Sequence, residues 1–246
     1  MNAGAAIGII CKAPRPGKSK TRLIPALGAE MAAQLSACFL RDISAAVGGL
    51  PAALNARGYG VFAPEDGEAE IRALMPENFG FLFHGSGDFG LVLLNAARSL
   101  FSRGHTCVLL VNSDSPTLPP ALLAQAITAL RAEGDRVVFG PATDGGYYLI
   151  GLKQAHARLF EDVPWSTEKV LEKSLERAAD IALPALCLAP WYDVDDAGSL
   201  DTLRGEMAGR RPGFSAGGLR GGDAPATRAL LTRIDARAVS GERADA

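Results

Sequence analysis

Five cations crowd one short stretch of the chain, and four of them, Arg15 aside, are the candidates for chemistry. Lys12, Lys18, Lys20 and Arg22 lie close together, with Pro14, Pro16 and Gly17 between them. A stiff loop this densely basic has phosphate as its natural counter-charge. Gly17-Lys18-Ser19 looks like the tail of a G-x-x-x-x-G-K-[ST] phosphate loop, but that signature needs glycine where Lys12 stands. Pro14 and Pro16 also lack two of the backbone N–H donors such a cradle uses. A solvated basic turn is the plain alternative. The prolines and the apolar run just before the loop favour a phosphate site, because open α/β sheets bind ligands beyond the carboxyl ends of their strands.

The acidic counterparts come later. Asp114 follows the most apolar run of the chain, 106–111, in Asn112-Ser113-Asp114-Ser115-Pro116. A carboxylate at the end of a buried strand needs compensation, and a hard divalent cation with water and phosphate oxygens supplies it. An Asx-type turn before a helix is the competing reading. Asp144 sits in Asp144-Gly145-Gly146 between two apolar runs. That is a hairpin signal, and also a place where glycines let a ligand reach the backbone. In Trp191-Tyr192-Asp193-Val194-Asp195-Asp196, extended chain puts Asp193 and Asp195 on one side with Val194 packing inward, while Asp196 is the cap of the following helix. Asp195 is the metal candidate of the three.

These loops need strands and helices to hold them. Residues 6–11 read as a central parallel strand covered on both faces. Further strands are expected at 59–63, 79–83, 106–111, 137–139, 147–152 and 186–188. Helices are expected at 28–47, 66–74, 91–101, 120–131, 169–179 and 198–207. This is the β-α-β rhythm of a layered α/β domain. Ser166 or Thr167 is the expected cap of the 169–179 helix, and Trp165 is either a lid or acceptor wall or a core side chain. His84 is a lone loop histidine with no partner evident in sequence.

Composition bounds the answer. The 246 residues are 48% hydrophobic and 21% charged with a net charge of −2, which suits one large α/β domain and implies no general nucleic-acid or membrane-surface role. Cys11, Cys38, Cys107 and Cys187 lie far apart and read as reduced thiols. No basic, apolar leader opens the chain and no apolar run is long enough to span a bilayer, so a cytoplasmic protein is expected. Residues 1–204 form the expected catalytic domain. Residues 205–246 turn Gly-, Arg- and Ala-rich, which predicts little burial: a flexible stretch at 213–223, and 225–239 as a short docked helix or a free tail.

Taken together, K-A-P-R-P-G-K-S-K-T-R-L (12–23), G-D-F-G (87–90), N-S-D-S-P-T-L (112–118), G-P-A-T-D-G-G-Y-Y-L-I-G-L (140–152), P-W-S-T (164–167) and D-V-D-D-A-G-S-L (193–200) resemble the DUF2064 family. That family is glycosyltransferase-A-like, within the nucleotide-diphospho-sugar transferase superfamily and related to the 2-phospho-lactate guanylyltransferases. The resemblance implies a GT-A type three-layer α/β/α sandwich with a mostly parallel sheet. It implies that Lys12, Gly17, Lys18, Lys20 and Arg22 hold nucleotide phosphates, and that Asp114 and Asp195 hold Mg²⁺ or Mn²⁺. Gly87, Asp88, Asp144, Gly145, Gly146, Trp165 and Ser166 complete the substrate site, with Asp114, Asp144 and Lys20 as the catalytic candidates. Two departures from the family pattern are Phe89-Gly90-Leu91-Val92, where leucine and then a charged pair are usual, and Asp196-Ala197-Gly198, in place of a Thr-Pro-Glu helix start.

Three readings follow: nucleotidyl transfer from an NTP to a small phosphorylated or hydroxyl acceptor, glycosyl transfer from a nucleotide sugar, or a degenerate nucleotide-binding module. The density of cations in the first loop suits a triphosphate better than a diphosphate, which favours the first.

Overall fold

A computed structural model describes residues 4–85, 87–215 and 218–240. Seven strands form one sheet in the order β3-β2-β1-β4-β6-β5-β7. They are β1 (Ala5–Lys12), β2 (Ala56–Ala63), β3 (Gly80–Phe83), β4 (Cys107–Asn112), β5 (Val137–Pro141), β6 (Tyr147–Leu152) and β7 (Ala185–Cys187). Pairing is parallel except where β6 runs against β4 and β5. As expected from its turn residues, β5 and β6 make a hairpin, and the sheet is mostly parallel. The helices are α1 (Ile24–Leu27), α2 (Ala29–Gly48), α3 (Glu68–Arg72), α4 (Phe89–Ser102), α5 (Pro120–Arg131), α6 (Val170–Asp180), α7 (Ala197–Met207) and α8 (Pro225–Ser240).

β1 is buried on both faces, as its apolar run predicts. Ala5, Ile7, Ile9 and Cys11 join a core with side chains of α2, α5, α7 and α8, whereas Ala6 joins a second core with α4 and α6. Those two cores are the outer interfaces of an α/β/α sandwich. Gly8 is required at the strand's centre, since a Cβ there would lie 2.9 Å from Val61 and 3.0 Å from Leu110. Three free thiols, Cys11, Cys38 and Cys107, are buried, and Cys187 is exposed. Among the described residues no helix is long and apolar enough to cross a membrane.

The segment after residue 205 buries more than its composition suggests. Leu230 and Leu231 of α8 enter the same core as α2. The buried carboxylate of Asp42 on α2 accepts from the Ala226 and Thr227 amides at 2.9 and 2.8 Å, meeting two otherwise orphaned donors at the start of α8. Phe214 packs on Trp191 and Tyr192 with ring centroids 5.8 and 5.5 Å away. The Gly222 amide donates to the Thr117 carbonyl at 2.8 Å. Phe214 and Gly222 thus seat the described part of the 213–223 stretch on the domain near its two ends.

Candidate functional site

The carboxyl ends of β1, β2, β3, β4, β5 and β7 face the same side, and because β6 is reversed its amino end joins them. Every loop singled out in the sequence opens there, around a cavity of about 1020 Å³. Lys12, Lys18, Lys20 and Arg22 line it, with Gly87, Asp114, Asp144, Gly146, Trp165, Ser166, Asp193 and Asp195. Gly17, Asp88 and Gly145 do not. Gly17 is the apex of the basic loop at φ 72°, and Asp88 caps α4 by accepting from the Leu91 amide at 2.9 Å.

The basic loop is fixed by its own polar groups. The Ser19 hydroxyl accepts from the Arg15 amide at 3.0 Å. Arg15 points away from the cavity and pairs with Asp66 at 3.2 Å and Glu70 at 2.7 Å beside α3. Both partners raise its pKa, the Glu70 hydrogen bond most. Arg15 is therefore a strap, and the exposed Lys12, Lys18 and Arg22 are left to meet a ligand.

Lys20 does something the sequence does not announce. Its backbone is left-handed, at φ 49° and ψ 46°, and its side chain is 5% exposed. Its ammonium lies 2.7 Å from Asp114 Oδ1 and 2.8 Å from Asp195 Oδ1, and 5.4 Å from the Phe39 ring centroid. Burial works against its charge, but Asp114 and Asp195 outweigh that and hold its pKa above the ordinary lysine value. The two carboxylates meet because the Val194 amide donates to the Asp114 carbonyl at 2.9 Å, tying the loop after β4 to the loop after β7.

Asp193, expected only to share a side with Asp195, lines the same cavity. Burial, then Asp144, Asp195 and Asp114, push its carboxyl up to about 7. The Asp144 carboxylate accepts from the Gly146 amide at 2.9 Å. Gly145, at φ 92°, lies so close to the Glu168 backbone that a Cβ would strike the Glu168 carbonyl oxygen, and the Leu171 amide donates to the Gly145 carbonyl at 3.0 Å. This contact locks the 144–146 turn to the start of α6. Asp196 caps α7 in a full capping box with Ser199, as expected. The expected cap of α6 is corrected: Lys169 is its N-cap residue and no side chain caps it. Ser166 is left-handed at φ 65°, and Thr167 donates back to the Pro164 carbonyl at 2.7 Å. Trp165 lies on the wall, edge-on to Phe89 at 5.2 Å and to Tyr147 at 6.4 Å. His84 also lines the cavity, and burial, with Lys12 adding to it, holds its pKa below the ordinary imidazole value.

Could a divalent cation fit here? Lys20 takes Oδ1 of Asp114 and of Asp195, so the second oxygen of each remains for an ion. The two side chains are 36% and 44% exposed toward the cavity. Among the described residues no group of three or more acidic, histidine or cysteine ligands comes together. In number, the Asp114–Asp195 pair matches the one or two carboxylates that Mg²⁺ or Mn²⁺ take when water and substrate phosphate complete the shell.

Residues 50–167 match the model of a family described as an uncharacterized protein conserved in bacteria (DUF2064). That span holds Asp114, Asp144 and Trp165, while the basic loop and Asp195 lie outside it. No curated protein matches the chain. A solved structure from Desulfovibrio desulfuricans G20, provisionally designated a nucleotide-diphospho-sugar transferase, is similar at TM-score 0.79 and 29% identity, covering 95% of this chain and 96% of that one. A 4-diphosphocytidyl-2C-methyl-D-erythritol synthase is similar at TM-score 0.56 and 12% identity, covering 83% and 98%. A CMP:2-keto-3-deoxy-manno-octonic acid synthetase complexed with CTP gives 0.52 and 12%, covering 84% and 99%. The last two speak for the fold alone. The resemblance carried by the motifs is borne out as a match: residues 50–167 fit the DUF2064 model, and the fold is shared with the structure designated a nucleotide-diphospho-sugar transferase.

Proposed function

We propose that the chain is a metal-assisted transferase that binds a nucleotide across its first loop and passes a nucleotidyl group from an NTP to a small acceptor. One observation carries this: three exposed cations and one buried one, all from the end of β1 and the loop after it, face the Asp114–Asp195 pair in a single cavity. Transfer at phosphorus asks little covalent chemistry of a protein, so positioning and charge neutralisation are the main tasks. Lys12, Lys18 and Arg22 would clamp the triphosphate. Lys20, held from both sides by carboxylates, presents a fixed positive charge at the point where donor and acceptor halves meet. Asp114 and Asp195 would hold Mg²⁺ or Mn²⁺, which when bound supplies charge neutralisation at the donor phosphate oxygens. Asp144, kept in place by the Gly146 amide, is the carboxylate available to an acceptor hydroxyl. The structure from Desulfovibrio desulfuricans, 29% identical and designated for nucleotide sugars, keeps glycosyl transfer as the second reading.

The test is affinity and turnover with matched NTP and nucleotide-sugar donors, with and without Mn²⁺, scored by calorimetry and a pyrophosphate assay. Nucleotidyl transfer predicts NTP preference with pyrophosphate release. A preference for nucleotide sugars, with release of the nucleoside diphosphate and no pyrophosphate, moves the protein to the glycosyl reading, and binding of neither class removes both.

A further inference from the structure

The cavity is divided by charge. All its lysines and arginines come from the end of β1 and the loop after it, and among the described lining residues from β4 onward there is no lysine, arginine or histidine. That far half holds five carboxylates: Asp114, Asp144, Glu168, Asp193 and Asp195. Lys20 answers two of them, Asp114 and Asp195. Asp144, Glu168 and Asp193 have no ion-pair partner among the described residues. A phosphate or carboxylate brought here would face like charge at close range without a compensating cation, and such juxtaposition is how sites reject ligands.

The same cavity has an aromatic wall. Trp165 stands edge-on to Phe89 and Tyr147 and comes within 3.0 Å of where a Cβ on Gly90 would be, so that glycine makes room for the indole. Its loop is self-braced, the Trp165 amide donating to the Val163 carbonyl at 2.8 Å and Thr167 to Pro164 at 2.7 Å. Phe89 is 43% exposed beside it. An aromatic ring and unpaired carboxylates lining one cavity suit a ligand with a C–H face and several hydroxyl donors.

We propose that the acceptor is a neutral, sugar-like polyol without phosphate or carboxylate, its hydroxyls donating to Asp144 and Asp193 and its carbon face lying on Trp165. This rests on the transferase reading above and names the substrate class of its acceptor half. Whichever donor is used, the new bond forms from an acceptor hydroxyl oxygen, its proton leaving to a carboxylate as pyrophosphate or nucleoside diphosphate departs.

The experiment loads the full-length protein with Mg²⁺ and a non-hydrolysable NTP or a nucleotide sugar, whichever binds. It then measures saturation-transfer NMR with free pentoses and hexoses and with their phosphate esters. At least one neutral sugar is expected to bind about ten-fold or more tightly than its own phosphate ester. Trp165→Ala should weaken that sugar about ten-fold while nucleotide affinity, by calorimetry, stays within about two-fold. Asp144→Asn, which keeps the oxygen that meets the Gly146 amide, should narrow the gap between sugar and ester. Nucleotide binding accompanied by preference for the esters, or by no neutral sugar binding, overturns this inference alone. Absence of nucleotide binding overturns the transferase reading and this inference with it.

Discussion

Lys20 competes with any divalent cation for Asp114 and Asp195, yet it is also one of the four lysines and arginines that line the cavity. Its removal should therefore act in opposite senses on two ligands. Lys20→Met is expected to raise Mn²⁺ affinity measured without nucleotide, since two carboxylates lose their built-in counter-charge. It should lower nucleotide affinity about 10- to 100-fold, the worth of a charge-assisted contact of about 1.5–3 kcal/mol. Isothermal calorimetry of both ligands decides it. Mn²⁺ binding no better to the variant would mean that the ion does not use this carboxylate pair. Asp193 offers a pH readout. Its folded-state pKa of about 7 lies above the usual carboxylate value, so the native chain binds more protons than the unfolded one between about pH 4 and 7. Stability from this group is thus lost as pH rises through that window. Asp193→Asn should melt at a higher temperature than wild type at pH 8 and match it near pH 4. The gap should be on the order of 1–2 kcal/mol once screening across the open cavity is discounted. Equal pH profiles for the two proteins would show that Asp193 is not crowded by its neighbours.

At the scale of elements, what was legible in the sequence and what was not separates by the range of the forces involved. β1, α2, α5 and the β5–β6 hairpin follow from local periodicity, a proline at a helix start and Asp-Gly at a turn, all decided within a dozen residues. The convergence of Asp114 and Asp195 on one mouth was legible too, because each simply follows a strand. The Lys20 bridge was not, because it depends on a left-handed backbone at a non-glycine residue and on a bond between Val194 and Asp114. Arg15 reads as one more cation of its loop until α3 supplies its carboxylates. The seating of α8 was hidden for the same reason: its N-terminal donors are met by Asp42, far away in sequence, and its two leucines are too few to stand out in a Gly- and Arg-rich segment. Of the two alternatives that composition leaves open, a docked helix or a free tail, the structure has the helix docked. A chain ending after Gly209 should lose the burial of Leu230 and Leu231 and expose the face of α2 they cover, a loss of several kcal/mol. The milder Leu230→Ala should cost about 2–4 kcal/mol in urea unfolding. Truncation with no change in midpoint would show that α8 does not dock.

The molecule as a whole carries a net charge of −2, so nothing in its overall field draws in an anionic donor. Donor attraction must be local, and the fold makes it so by placing every lysine and arginine of the cavity at the end of β1 or on the loop after it and nearly all of its acid on the loops beyond β4. Because Lys12, Lys18 and Arg22 are exposed, their pull is screened by salt, whereas the buried Lys20 bridge is not. Donor affinity should therefore weaken with ionic strength, and more steeply for the donor that carries more phosphate charge. Lys18→Ala combined with Arg22→Ala removes two screened contacts and leaves the Lys20 bridge and the fold in place. NTP affinity is expected to fall by more than about 100-fold, at about 1.5–3 kcal/mol per contact, with a smaller fall for a nucleotide sugar and a flatter salt dependence for both. Titration at two salt concentrations measures all three quantities at once. An equal loss for NTP and nucleotide sugar would mean that the loop does not count phosphates, and the preference for a triphosphate donor would then have no basis in it.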